Sequence, residues 1–173
     1  ARGRVFMHRE TLELLRDGRA PKGDVLTTAP LAGVLAAKRT AEIIPLAHFL
    51  PLDSVDLAFS LDPDTASVGI EARVRTRGRT GVEMEALTAV TVAALTLYDM
   101  LKAVDRGMVM GEFAVWEKRG GRSGVFRRRA RLVVIALLVL GVAVGRPDPR
   151  RGVALVREQL ERDPLVEVLL PRE

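Results

Sequence analysis

The stretch from Gly81 to Val104 constrains the fold most, because it has the pattern of one long, mostly apolar helix with charges at both ends. Glu83 and Glu85 lie at its start, and Asp99 and Lys102 lie near its end. The last two are three residues apart, so a helix places them on one face. Burying ionisable side chains is costly unless they are paired or functional. The stretch therefore predicts a core helix that also carries an active site.

Composition limits the size and class of the fold. The chain has 173 residues, of which 48% are hydrophobic and only 4% aromatic. These values predict one domain, or one domain with an appendage, around an aliphatic core. The absence of Cys excludes disulfides, thiolate nucleophiles and thiolate metal sites. We expect a cytoplasmic protein without a membrane partner, because the N-terminus lacks an apolar signal core and the longest apolar run, residues 132–144, falls short of the ~20 residues of a membrane helix.

The net charge of +5 favours an anionic partner, either a phosphorylated small molecule or nucleic acid. A solvated basic surface is the plainer alternative. The basic cluster 127–131 suits nucleic acid, but no aromatic residues alternate with it to stack on bases, so we expect no nucleic-acid partner. Only four of the 27 basic residues are Lys. A chain that uses Arg by default keeps Lys where a compact ammonium with an adjustable pKa is needed, which favours Lys22 and Lys102.

The rest of the chain alternates strand and helix patterns. Proline is tolerated in the first turn of a helix, so Pro30 predicts that the second helix begins near Thr28, with Thr27 or Thr28 as its N-cap. Residues 54–61 and 68–77 alternate apolar and polar side chains and predict an antiparallel hairpin. The other predicted elements are a strand over 2–7, a helix over 9–16, a strand over 108–116 and, in the tail, strands over 131–144 and 166–170 around a helix over 152–162.

Three loop segments carry further candidates. His48 lies among apolar residues between Pro45 and Pro51, where a structural and a functional histidine are both reasonable. Lys22 precedes a glycine, which places a cation beside flexible backbone. The glycine-rich loop 118–124 has the composition of an anion nest. A plain turn is the alternative reading for the Lys22–Gly23 loop, and the pattern of the loop 118–124 is too common to identify a ligand.

Several segments together resemble the MoaC-type cyclic pyranopterin monophosphate synthases of molybdenum cofactor biosynthesis. The most specific are TGVEMEALTA over 80–89 and LYDMLKAV over 97–104. Four further segments, residues 22–24, 31–40, 44–48 and 120–124, also match, and all six occur in the family's order. The resemblance covers nearly all of residues 9–126. The resemblance implies an α+β fold with a ferredoxin-like antiparallel sheet backed by helices. It also implies a hexamer built as a trimer of dimers, with active sites at the dimer interface.

The same resemblance implies a lyase that converts 3',8-cyclo-7,8-dihydro-GTP to cyclic pyranopterin monophosphate and releases pyrophosphate. Lys22, Asp99 and Lys102 match the family's central catalytic residues. The residues that match the family's pocket are His48, Glu83, Met84 and Glu85. The side chains expected to help bind the phosphates are Arg79, Arg122 and Lys38. Such a reaction needs cations for the leaving pyrophosphate and proton donors and acceptors for the ring rearrangement. No cofactor and no protein-held metal is expected, and a Mg²⁺ ion accompanying the pyrophosphate is left open.

The predicted helix is ~30 Å long at 1.5 Å per residue, so its two ends lie too far apart to serve one small substrate. We therefore expect Glu85 and Lys102 of one pocket to come from different chains. The chain departs from the family at Pro30, usually arginine, and at Phe49, usually proline. These changes motivate an alternative, a catalytically impaired nucleotide- or phosphate-binding homologue with the same fold.

Two domains are predicted. The synthase domain is expected to span residues 1–128. Residues 129–173 resemble the start of a MogA/MoaB-type molybdopterin-binding domain and are expected to form a short, partial α/β extension without activity of its own.

Overall fold

The computed structural model describes residues 1–78, 80–121 and 123–128. The first compact unit is Ala1–Arg127. Its helices are α1 (Arg9–Arg16), α2 (Val25–Lys38), α3 (Thr40–Ile43) and α4 (Glu83–Leu101). Its strands are β1 (Arg2–Phe6), β2 (Ser54–Asp62), β3 (Ser67–Arg75), β4 (Val109–Ala114), β5 (Glu117–Lys118) and β6 (Phe126–Arg127). The predicted extension 129–173, with its strands and helix, lies outside the described residues.

The main sheet has the order β2-β3-β1-β4, and each neighbouring pair is antiparallel. Strands β2 and β3 form the predicted hairpin, with Ser54 opposite Arg75 and Asp62 opposite Ser67. Strand β1 lies in the middle of the sheet although it is first in the chain, and a helix follows both β1 and β3. This is the ferredoxin-like arrangement of an α+β fold, so the predicted fold class is confirmed.

The core lies between the sheet and the two long helices. Helix α2 packs against α4, and α4 contacts β3, β1 and β4. Val90, Leu97 and Leu101 of α4 are fully buried, and burying each such side chain stabilises the fold by about 1.5–3 kcal/mol. The two helices approach closely at Gly33, where an added Cβ would lie 2.9 Å from the carbonyl oxygen of Ala89. The scarcity of aromatic residues is thus matched by an aliphatic, tightly packed helix layer.

Helix α4 is the one described segment long and apolar enough to cross a membrane by length and composition. Ten of its residues are buried inside the protein, on the sheet and against α2. Its hydropathy is that of a core helix, in agreement with the prediction for this stretch. The helix is shorter than the predicted 81–104, because it begins at Glu83 and ends at Leu101.

The start of α2 differs from the prediction. The N-cap is Asp24, not Thr27 or Thr28, because the Asp24 carboxylate accepts the backbone N–H of Thr27 at 3.0 Å and its hydroxyl at 2.6 Å. This capping is favourable enough to begin the helix at Val25. Pro30 consequently lies inside the helix, about one turn further from its N-terminus than expected. Proline at this position lacks the N–H that would donate to the carbonyl of Leu26, so α2 tolerates one missing hydrogen bond.

Asp105 fixes the turn after α4 to the start of α1, and its side chain is only 1% exposed. Its carboxylate accepts the backbone N–H groups of His8 and Gly107, each at 2.9 Å, and the Thr11 hydroxyl at 3.2 Å. Burial raises the pKa of Asp105, and these hydrogen bonds lower it by more, so the net pKa lies below its ordinary value. The ionised carboxylate of Asp105 therefore holds the end of α4 against the start of α1.

We expect Asp105→Ala to lower the free energy of unfolding by about 3 kcal/mol, because three donors lose a charged acceptor. Since the folded pKa is depressed, the contribution of Asp105 is complete above pH ~4 and is lost as the pH falls below that value. Urea unfolding at pH 7 and at pH 3 measures both effects. Asp64→Ala, an exposed turn residue, is the control and should change stability by less than about 0.5 kcal/mol. Equal losses in the two variants would contradict the assignment.

Candidate active site

Two lysines share one carboxylate at the C-terminal end of α4. Lys22 Nζ lies 2.7 Å from Asp99 Oδ2, and Lys102 Nζ lies 2.7 Å from Asp99 Oδ1. All three side chains are about half exposed, so the cluster is open to a ligand from solution. The structure thus brings together the three residues that the sequence comparison identified as central, although their catalytic roles remain predictions.

The local sequence explains how these residues meet. Asp99 and Lys102 lie three residues apart in the last turn of α4 and at its C-cap, so they face the same side. Lys22 belongs to the loop before α2, where Gly23 has a positive φ of 92° that disfavours other residues. The cap formed by Asp24 then directs the chain into α2. Because α2 packs on α4, the loop before α2 reaches the end of α4.

The charges in this cluster stabilise one another. Hydrogen bonds from the Lys102 and Lys22 ammonium groups lower the pKa of Asp99 to about 2. In turn, the Asp99 carboxylate raises the pKa of Lys102 above its ordinary value. Asp99 is therefore ionised, and Lys102 carries its proton, over the whole physiological range. The cluster presents a net positive charge, because two ammonium groups surround a single carboxylate.

An open cavity of about 570 Å³ adjoins the two lysines, and Tyr98, Ala103 and Arg106 complete its lining. The hydroxyl of Tyr98 donates to the carbonyl oxygen of Arg106 at 3.4 Å, which links the helix end to the following turn. With Lys22, Lys102 and Arg106 the cavity has three cationic side chains and one carboxylate nearby. This is a suitable surface for a multiply charged phosphate ester.

The acidic end of α4 has a different environment. Glu83 Oε1 lies 2.8 Å from Lys118 Nζ in a partly buried ion pair. Met84 is 41% exposed, whereas Glu85 is only 4% exposed. Within the part of the chain that the structure describes, no hydrogen bond or ion pair holds the Glu85 carboxylate. Among the described residues no buried side-chain oxygen lacks a hydrogen-bond partner, so the Glu85 carboxylate oxygens reach solvent and are available to a ligand or a second chain.

A larger cavity, about 1120 Å³, opens beside Glu83. Its wall includes Arg73, Arg75 and Arg77 from β3 and the turn that follows it. The indole of Trp116 also lines it, with the guanidinium of Arg2 stacked 5.0 Å from the ring centroid. The arginines of β3 and of the turn after it therefore line a concave surface near the start of α4.

The remaining predicted site residues do not join either cluster. His48 is exposed in the loop after α3, and Lys38 is exposed at the end of α2. Arg79 and Arg122 lie outside the described residues. Asp99 and Lys102 are separated from Glu85 by most of α4, roughly 21 Å and roughly 25 Å at 1.5 Å per residue. One chain therefore does not bring all of the predicted residues into a single pocket.

Three residues near these cavities were missed from sequence: Tyr98, Arg106 and Lys118. Lys118 had a usable signal, because it is one of the four Lys residues in an Arg-rich chain. The scarcity of lysine therefore points to Lys118 as well as to Lys22 and Lys102. Arg106 carried no signal, since it is one of many arginines and its position depends on the turn after α4.

No group of three His, Asp or Glu side chains suited to a metal ion occurs among residues 1–78, 80–121 and 123–128. The two lysines beside Asp99 also occupy its oxygens, which would have to be released for metal binding. The ammonium groups of Lys22 and Lys102 are themselves suited to direct binding of an anion.

Comparison with known proteins gives a consistent result. The MoaC family model matches residues 1–121. A protein from Thermomicrobium roseum is 62% identical over 74% of this chain and 77% of its own length. Proteins from Pelotomaculum thermopropionicum and Heliobacterium modesticaldum are 60% and 59% identical, over 75% and 74% of this chain and 76% and 80% of their own lengths. All three are named cyclic pyranopterin monophosphate synthase. The chain belongs to the MoaC family.

Proposed function

We propose that this chain is a cyclic pyranopterin monophosphate synthase, a lyase of molybdenum cofactor biosynthesis. Its substrate is 3',8-cyclo-7,8-dihydro-GTP, and its products are cyclic pyranopterin monophosphate and pyrophosphate. The observation that carries the proposal is the pair of 2.7 Å contacts between Asp99 and the ammonium groups of Lys22 and Lys102. Membership of a family whose similar members bear this name supports it.

The lysine cluster suits the phosphate side of the reaction. Release of pyrophosphate leaves negative charge on the departing oxygens, and fixed cations near that charge lower the barrier. Lys22, Lys102 and Arg106 provide three cations beside one cavity. Lys102 is held protonated by Asp99, so it is equipped to neutralise a leaving oxygen and to donate a hydrogen bond to it. Lys38, Arg79 and Arg122 are proposed as further phosphate contacts.

Asp99 is proposed to position the two ammonium groups. With a pKa of about 2, it has no proton to give at neutral pH, and it is a weak base. Each of its two oxygens binds one ammonium group, that of Lys22 or that of Lys102, and this fixes the spacing of the two positive charges. This arrangement reduces the reorganisation required when the substrate's phosphates arrive.

The base-binding part of the site is proposed to contain Glu83, Met84 and Glu85 with His48. The carboxylate of Glu85 is able to accept the N–H groups of a guanine or pterin edge, and the exposed Met84 supplies an apolar contact. Because α4 separates these residues from Lys102, we propose that one pocket uses the two ends of α4 from different chains. The functional unit is then a dimer, and the proposed assembly is a hexamer formed as a trimer of dimers.

Exposed apolar residues support an assembly. Leu46 and Phe49, which flank His48, are 91% and 82% exposed, and Leu31 and Leu35 on one side of α2 are 59% and 50% exposed. Large apolar side chains that are exposed on a single chain are often covered by a second subunit. A second chain seated here would also bring a partner surface to His48. Phe49, where the family usually has proline, is consistent with such a contact.

Three further points follow as proposals. The enzyme works in the cytoplasm and uses no cofactor. Any Mg²⁺ is bound by the pyrophosphate oxygens and not by a set of protein carboxylates. Nucleic acid and membranes are not partners.

The test is a pyrophosphate-release assay with purified protein and the cyclic dihydro-GTP intermediate, followed by identification of the pterin product. We expect stoichiometric release of pyrophosphate and cyclic pyranopterin monophosphate, with unchanged rate when the protein is first treated with a chelator. Tight binding of the intermediate without pyrophosphate release would instead identify the impaired binding homologue that Pro30 and Phe49 suggested. The intact Lys22–Asp99–Lys102 cluster favours the active enzyme over that alternative.

A further inference from the structure

Lys118 connects two parts of the wall of the larger cavity. It is the second residue of β5, which pairs with β6 through Glu117 opposite Arg127 and Lys118 opposite Phe126. Its ammonium lies 2.8 Å from Glu83 Oε1 at the start of α4 and 2.8 Å from the hydroxyl of Ser123. The Lys118 side chain is 21% exposed, much less than those of Lys22 and Lys102, at 45% and 50%. It is therefore partly desolvated, and its contacts are stronger than those of a surface pair.

The Glu83 side chain also lies close to the backbone of Gly81, which has no Cβ in its way. A Cβ on Gly81 would lie only 2.0 Å from Glu83 Oε2, so the carboxylate occupies space that any other residue at position 81 would fill. Burial raises the pKa of Glu83, but the hydrogen bond from Lys118 and the residue's own backbone N–H lower it overall, so the carboxylate is ionised. Glu83 is thus folded back over Gly81 and fixed by an ammonium group.

These contacts distinguish Glu83 from Met84 and Glu85, the next two residues of α4. Met84 is exposed and the Glu85 carboxylate has no described partner, so both are available to a ligand. The Glu83 carboxylate is already engaged. Glu83, Lys118, Gly120 and Gly121 all line the larger cavity, which places this connection next to any molecule bound there.

We propose that Lys118 is a positioning residue, which anchors the first turn of α4 through Glu83 and thereby sets the position of Met84 and Glu85 for substrate binding. Within the base-binding part of the site, Glu83 acts as the anchor point for Lys118, while Met84 and Glu85 face the ligand. This inference rests on the proposed function for its kinetic consequence, but its structural consequence is measurable in the protein without substrate.

The structural test is hydrogen–deuterium exchange of the full chain, read at Ala86, whose N–H donates to the Val82 carbonyl oxygen at 3.1 Å and closes the first turn of α4, and at the amides of the next turn. In Lys118→Met, we expect exchange about 10-fold faster at these amides, the size of one partly buried charged hydrogen bond. Glu83→Gln should give the same change, and the double variant should be no faster than either single variant. Lys118→Arg should restore most of the protection. Unchanged exchange in both single variants would overturn the proposal, whether or not the protein is a synthase.

The kinetic test compares the same variants in the pyrophosphate-release assay. A positioning role predicts that Lys118→Met raises KM about 10-fold with little change in kcat, because a binding contribution common to substrate and transition state is lost. Lys118→Arg should recover the low KM. A fall in kcat at constant KM would show that Lys118 takes part in the chemical step and would overturn the positioning role.

A matched control is Arg127→Met. Arg127 lies on the neighbouring strand β6, and its guanidinium is 3.6 Å from Glu117, within the same hairpin. The substitution removes one positive charge from the hairpin without touching Glu83. Exchange at the start of α4 and KM should both remain as in the unaltered chain. An equal effect from Arg127→Met would mean that hairpin charge, and not the link to α4, controls the site, which would contradict the proposal.

Discussion

Asp99→Asn is expected to lower the rate of pyrophosphate release by about 100- to 10,000-fold, the range of a lost acid–base or charge-positioning group. Asparagine keeps the shape of the side chain but turns a carboxylate that holds two ammonium groups into a neutral amide. Its NH₂ group would face one of the lysines, so Lys22 and Lys102 would no longer share one acceptor. The pKa of Lys102 would also fall toward its ordinary value, since the carboxylate that raises it is gone.

The folded state should be almost unaffected, because the Asp99 side chain is 52% exposed. Thermal unfolding followed by circular dichroism checks this point. Asp17→Asn is a closely matched control, since Asp17 is also an exposed carboxylate between two cations, with Arg16 at 3.2 Å and Arg19 at 3.1 Å. It lies away from both cavities and should leave the rate unchanged. If Asp99→Asn kept its rate within about twofold, the proposed site would be wrong.

Local rules predicted much of the fold. Helix α1 has the predicted bounds, and the β2–β3 hairpin follows directly from its alternation. The predicted start of α2 was wrong by three residues, because the Asp24 cap begins the helix at Val25 in spite of Pro30. Proline inside a helix is disfavoured, but a cap with two hydrogen bonds and burial of Val25 and Ala29 offset that cost.

The site was predictable to the extent that it depends on short spacing. Asp99 and Lys102 are three residues apart on a helix, so their contact follows from helical geometry. Lys22 is 77 residues away from Asp99, and spacing gave no reason to pair them. The family resemblance and the scarcity of lysine pointed to Lys22, and the packing of α2 on α4 accounts for the contact. Glu83 shows the opposite case, since its partner Lys118 depends on a hairpin that the sequence pattern did not reveal.

Mixing two inactive variants tests how a complete site is assembled. Lys102→Ala and Glu85→Gln should each lose most activity alone, because each removes one end of the proposed pocket. If one pocket takes Lys102 from one chain and Glu85 from the other, a mixed dimer has one site with both changes and one site with neither. In a 1:1 mixture of chains, half of the dimers are mixed, so the recovered rate should be about one quarter of the original.

The arrangement of α4 makes this outcome the expected one, since roughly 25 Å of helix separates Glu85 from Lys102 within a chain. The experiment refolds the two variants together, measures pyrophosphate release, and confirms mixed oligomers with two affinity tags. The internal control is a mixture of Lys102→Ala with Asp99→Asn. Lys102 and Asp99 touch within one chain, at 2.7 Å, so every site in that mixture carries a defect and no activity should return. No recovery in the Glu85 mixture would show that the two ends of α4 do not combine across chains. Equal recovery in the control would show that the regained activity does not come from such a combination, and would equally contradict the shared pocket.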